Sequence, residues 1–113
     1  MSERVRKVNQ EISRSVSETI ERERLDKRSF VTVTAVEAAP DLKHAIVWCS
    51  VIGLPEKEAL ELLRNLRHPA QKDLNSKLAM KYIPRLDLRL AHGGEYAQHI
   101  ENVMKRARGE GQI

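Results

Sequence analysis

The sequence predicts an α+β domain in the order helix, strand, strand, helix, kink, helix, strand, with a three-stranded sheet and a C-terminal helix. Three observations lead there. Val5, Val8, Ile12, Val16 and Ile20 recur at intervals of three and four, the period of one helix face. Residues 30–36 and 43–52 are rich in β-branched side chains, and Ala39-Pro40-Asp41 lies between them as a turn. Leu86, Leu88 and Leu90 alternate with Arg85, Asp87 and Arg89, the two-residue period of a strand with one apolar face.

The first helix is expected over residues 3–23. Its Arg4, Arg6, Lys7, Arg14 and Arg22, with Arg24 just beyond, interleave with Glu3, Glu11, Glu18, Glu21 and Glu23, so intrahelical pairing is their expected use. Leu25-Asp26-Lys27-Arg28 breaks the helical pattern before the first strand. Pro40 has no amide donor to continue a ladder, which predicts an antiparallel hairpin across the turn, with Trp48 of the second strand in the core. Gly53 ends that strand. Pro55 and Glu56 open a helix, because proline is tolerated in the first turn and an acid complements the helix dipole. Ala59, Leu60, Leu63 and Leu66 are its expected buried side.

Pro69 lacks an amide hydrogen and crowds the residue before it, so His68, Pro69 and Ala70 are expected to form an abrupt kink. A second helix would follow, carrying Ala70, Leu74 and Leu78 inward. His92-Gly93-Gly94 reads as a turn, and Tyr96, Ile100, Val103, Met104 and Ala107 as a closing helix. With 113 residues, 41% of them hydrophobic, the chain fits one core. Residues 1–107 are expected to form a single domain, with 108–113 a flexible tail.

The net charge is +4, and the whole surplus lies between Arg64 and Arg89: seven Lys and Arg there against two Asp and Glu. Residues 1–63 hold ten against eleven, and the stretch from residue 90 holds three of each. Clustered cations attract phosphate and release its condensed counterions, so nucleic acid is the expected partner. Arg64, Arg67, His68, Lys72, Lys77, Lys81 and Arg85 are the candidate RNA contacts. Lys72, Lys77 and Lys81 follow at steps of five and four, and are expected near one side of a helix with only Asp73 to offset them. Aromatic residues make up 4% of the chain, so phosphate and shape contacts are expected to dominate over base stacking.

Other classes find little support. Cys49 is the only cysteine, so no internal disulfide can form, which fits a reducing cytoplasm. The first residues are charged, and no apolar run approaches the roughly 20 residues a membrane span requires. His92, Glu95 and His99 lack the spacing of a helical zinc motif, and no glycine-rich phosphate loop is present. A cysteine within a strand acts as a small hydrophobe more readily than as a nucleophile. Neither catalysis, nor a metal, nor a cofactor is expected.

The order of elements, with a sharp joint between the middle helices, resembles the bacterial, type II KH domain. The chain is similar to the ribosome-binding factor A family, over residues 4 to about 104. The likeness rests on residues 31–36 and 41–50 in the paired strands, then Leu74, Leu78 and Lys81, and finally Ile83-Pro84-Arg85-Leu86. Members of that family have a glycine in an Ala-x-Gly kink where His68 stands, and an arginine where Gln71 stands. They carry Phe and Asp where this chain has Leu88 and Ala91. The chain has no GXXG loop, with which KH domains clamp single strands. The resemblance therefore implies contact by a basic helix surface and a kinked joint, reading folded ribosomal RNA by shape. It implies a KH-like RNA-binding domain that binds the small ribosomal subunit and its ribosomal RNA and assists late maturation in the cytoplasm without catalysis. The free protein is expected to be monomeric. The alternative reading is a protein-interaction module, dimerising through an exposed sheet edge, whose basic patch meets an acidic protein.

Overall fold

The computed structural model describes residues 2–23 and 27–91. The elements are α1 (Glu3–Glu23), β1 (Phe30–Ala38), β2 (His44–Ile52), α2 (Glu56–Lys77) and β3 (Arg85–Leu90). The turn expected at His92-Gly93-Gly94, the closing helix and the tail lie outside the described residues.

Ser2 caps α1: its Oγ accepts the Val5 N–H at 3.1 Å and its carbonyl accepts the Arg6 N–H at 3.0 Å. The expected stripe is the buried one, with Val5, Val8, Ile12 and Val16 inside and Ile20 packed at its end. Two pairs of the interleaved charges meet within the helix, Arg6 with Glu3 and Arg22 with Glu23.

The sheet has the order β1-β2-β3, with β1 antiparallel and β3 parallel to β2. The parallel pairing is possible because α2 crosses back over the sheet between β2 and β3. One layer of helices covers one face: α1 packs on β1, α2 on β3, and the helices pack on each other. Ala45, Val47, Cys49 and Leu86 project into the core between the layers. Along β1 the inward positions change from Val31 and Val33 to Val36 and Ala38, because the register slips between Val33 and Ala35. Thr34 is the extra residue of a β-bulge, and its hydroxyl donates to the Trp48 carbonyl at 3.1 Å. Trp48 is buried as expected, 1% exposed, but strand alternation turns it to the face away from the helices.

Two backbone positions need special conformations. Leu42 sits at φ 59 in the hairpin turn, a region L residues avoid. Burial of its side chain, its N–H bond to the Ala39 carbonyl (2.8 Å) and the Asp41 carboxylate on the Lys43 N–H (3.0 Å) hold it there. Gly53 has φ 102, and a Cβ there would lie 2.3 Å from the Arg28 carbonyl oxygen, so only glycine passes.

The structure differs from the sequence reading at α2. Instead of two helices meeting at His68, Pro69 and Ala70, one helix runs from Glu56 to Lys77 with Pro69 inside it. Pro69 cannot donate to the Asn65 carbonyl, and an interior proline costs about 3 kcal/mol. Ala59, Leu62, Leu63, Leu66, Ala70 and Leu74 nevertheless continue one buried stripe in phase across it. Each buried leucine contributes about 1.5–3 kcal/mol, so the stripe outweighs the lost bond. Leu60, expected inward, is 45% exposed, while Leu62 is buried: a single step from Ala59 rotates a side chain about 100° off the stripe.

Side chains from the helices occupy backbone groups on both outer strands of the sheet formed by the described residues. The Arg85 N–H bonds to the carbonyl of Lys43, just before β2 (2.9 Å), which leaves the Leu86 backbone groups facing outward. The Leu86 N–H donates to Gln71 Oε1 at 2.8 Å, and the Leu86 carbonyl accepts Arg67 Nε at 3.0 Å. At the other edge, Asn9 Oδ1 accepts the Ala38 N–H at 2.8 Å. A strand adding at these positions would have to displace those side chains.

Candidate RNA-binding surface

Arg64, His68 and Lys72 follow one another at four-residue steps, so they form a ridge along α2 on the side away from its buried stripe. All three are exposed, and none of their side chains hydrogen-bonds or ion-pairs with another described residue. Glu61 and Lys57 stand on the same side nearer the helix start. Asp73, which the sequence offers as the neutralising acid, is turned onto α1. It accepts the Thr19 hydroxyl at 2.6 Å and the Arg22 guanidinium at 2.9 Å, and leaves Lys72 without a carboxylate partner among the described residues. The Thr19 bond, helped by Arg22, holds the Asp73 carboxyl below its usual range.

The other candidates lie elsewhere. A five-residue step places Lys77 about 140° around the helix from Lys72, and its ammonium meets Glu18 of α1 at 2.6 Å. Lys81 lies beyond the helix end, with its ammonium 5.4 Å from the Tyr82 ring centroid. The expected grouping of Lys72, Lys77 and Lys81 on one helix side is therefore not formed. Arg67 is turned onto β3, where it holds the Leu86 carbonyl. Arg85 and Arg89 alternate with the inward Leu86 and Leu88, which places them on the sheet face away from the helices. Arg89 pairs with Asp87 at 2.8 Å and lies 5.8 Å from the Trp48 ring centroid. The cations thus divide between a ridge on α2 and the end of the sheet around Lys81 and Arg85. Sequence reasoning passed over Gln71, whose amide joins α2 to the start of β3; a glutamine in a charged helix carries no signal of such a partner.

Burial pushes the Cys49 thiol up to about 12, so it stays protonated near neutral pH and is a poor nucleophile. Among the described residues no group of three or more His, Cys, Asp or Glu could hold a metal ion, and His92, Glu95 and His99 lie outside them. No helix among the described residues is long and apolar enough to cross a membrane.

Residues 4–104 match the family model of ribosome-binding factor A. The chain belongs to the ribosome-binding factor A family. Ribosome-binding factor A of Roseiflexus sp. (strain RS-1) is 36% identical over 117 residues, spanning 97% of this chain and 88% of its own length. The crystal structure of ribosome-binding factor A from Thermus thermophilus shares the fold, with a TM-score of 0.66 at 23% identity over 76% of this chain and 93% of its own. A second neighbour is Thermus thermophilus ribosome-binding factor A as a homology model fitted into the electron cryo-microscopy map of its 30S complex. Its TM-score is 0.59 at 26% identity, over 70% of this chain and 86% of its own.

Two departures from the ribosome-binding factor A pattern now have structural content. His68, in the place of the family's kink glycine, lies within the continuous α2 and is exposed on its ridge. Gln71, in the place of an arginine, spends its amide on β3 rather than on solvent.

Proposed function

We propose that this chain binds the small ribosomal subunit through its ribosomal RNA and assists a late maturation step, acting in the cytoplasm as a single domain, monomeric when free. It performs no chemistry of its own. A protein with different affinities for two RNA conformations shifts their populations by that difference alone. The observation that carries this reading is the ridge of Arg64, His68 and Lys72, cationic, exposed and unneutralised by Asp73, in a chain of the ribosome-binding factor A family. The Thermus thermophilus relative fitted into its 30S complex supports the same partner.

The test compares wild type with R64A/K72A and R64E/K72E for binding to purified small subunits across a salt series. Wild-type affinity is expected to fall steeply with salt, and the alanine pair to flatten the slope by about two, one per lost phosphate contact. The glutamate pair is expected to abolish binding at an unchanged unfolding temperature. Wild-type affinity in the glutamate pair would overturn the assignment.

A further inference from the structure

Tyr82 is 72% exposed, the most exposed of the large hydrophobic side chains among the described residues. It is not on a loose segment: Ile83 packs against the core, Pro84 is fully buried, and the Pro84 carbonyl accepts Gln71 Nε2 at 3.0 Å. The ring is therefore held out from a fixed base. The Lys81 ammonium sits 5.4 Å from its centroid. Beside it, the bond from the Arg85 N–H to the Lys43 carbonyl (2.9 Å) joins the starts of β3 and β2, and Arg85 stands opposite His44 in the register. Lys43, His44, Lys81 and Arg85 are all exposed, and the cations Lys43, Lys81 and Arg85 form no ion pair with a described residue. Of the acids nearest in sequence, Asp41 engages the Lys43 backbone N–H and Asp87 pairs with Arg89.

An exposed ring with a cation at its face, three residues from the joined strand starts that carry two more unpaired cations, matches one ligand chemistry closely. A base offers a flat face for stacking, and its flanking phosphates offer negative charge. In a duplex those faces are already stacked, so the partner must be unpaired. We propose that the end of the sheet around Tyr82 is a second RNA contact, which stacks one unpaired base of a single strand on the Tyr82 ring and holds the adjoining phosphates with Lys43, Lys81 and Arg85. This rests on the RNA-binding reading above. It adds a site outside the α2 ridge, with a preference the ridge lacks. It also qualifies the expectation from composition that phosphate and shape contacts dominate over base stacking: one ring suffices when the fold projects it.

Fluorescence anisotropy on the full chain tests the proposal, with a labelled short oligoadenylate and a labelled RNA hairpin of the same charge as probes. Y82A is expected to weaken the single strand about tenfold to a hundredfold and to leave the hairpin unchanged, while Y82F keeps wild-type affinity for both. An oligoadenylate with abasic sites is expected to bind wild type as weakly as the intact one binds Y82A. Wild-type affinity of folded Y82A for the single strand, with R64A/K72A weakened, would overturn this inference and leave the ridge standing. Equal loss in Y82F and Y82A would overturn it too, since the hydroxyl rather than the ring would then carry the contact. No binding of the oligoadenylate to a wild type that still binds small subunits would overturn this inference alone, as would capture of an acidic peptide at Tyr82 in preference to either RNA; a wild type that binds neither RNA probe nor small subunits would overturn both readings.

Discussion

The Gln71 amide has three partners: it accepts the Leu86 N–H at 2.8 Å and donates to the Pro84 carbonyl at 3.0 Å and to Asn75 Oδ1 at 3.1 Å. Two of the three are main-chain groups of the segment entering β3, which has no further strand beside it among the described residues. Q71A would leave those groups to water or to nothing, and each lost bond is worth about 0.5–1.5 kcal/mol. The variant is expected to lose about 1–3 kcal/mol, read as a lower denaturant midpoint at unchanged slope. An unshifted midpoint would show that solvent satisfies the edge equally well. Of the candidate contacts, Arg64, His68 and Lys72 stand at helical spacing, but the break expected at Pro69 keeps them from being read as one surface, and the sequence groups Lys72 with Lys77 and Lys81 instead. The placing of Arg67 and Lys77 is not legible either, because each is bound by an element distant in the chain: Leu86 for the one, Glu18 for the other.

At the scale of the element, α2 shows where local rules yield to packing. A proline preceded by Leu66-Arg67-His68 reads as a break, yet the apolar residues on both sides of Pro69 share one phase, and that phase commits them to the same core. P69A restores a donor for the Asn65 carbonyl and removes the ring's crowding. It is expected to raise the unfolding midpoint, by a margin up to about 3 kcal/mol. A fall instead would mean that a bend imposed by the proline is needed to seat Leu66 and Leu74 together. The strand β1 has the opposite character: its alternation is plain in sequence, but the bulge at Thr34 switches which parity faces inward. Nothing in Val31-Thr32-Val33-Thr34-Ala35-Val36 marks Thr34 as the extra residue, because the bulge is defined only against Cys49 and Trp48 of the partner strand.

For the molecule as a whole, the two helices are joined near their C-terminal ends by Thr19, Asp73 and Arg22, and by Glu18 with Lys77. The Thr19 and Arg22 bonds hold Asp73 below its ordinary range, and Lys77 does the same for Glu18. A carboxyl whose folded-state value is depressed contributes stability that is present above its unfolded value and is lost as the pH falls through the folded one. For Asp73 that window opens downward from about 3.8. Wild type is therefore expected to unfold at a higher temperature than D73N at neutral pH, with the gap closing as the pH is lowered below about 4. A gap that stays constant down to about pH 2 would show that the carboxylate's charge does not tie the helices together. The same joint withdraws Asp73 from the ridge, so one contact serves both the packing and the electrostatics of α2.

What the sequence determined by itself is the kind and order of the described elements, apart from the break it placed in α2 at Pro69, and the confinement of the surplus charge to one stretch. Both are written in spacing between near neighbours, where backbone geometry sets the period. The tertiary structure decided which way each charge points, which β1 parity lies inside, and that Tyr82 stands out with the Lys81 ammonium near its ring. Those outcomes depend on partners as far apart as Lys77 and Glu18, 59 residues along the chain, and no local pattern encodes a contact that exists only after the layers have packed.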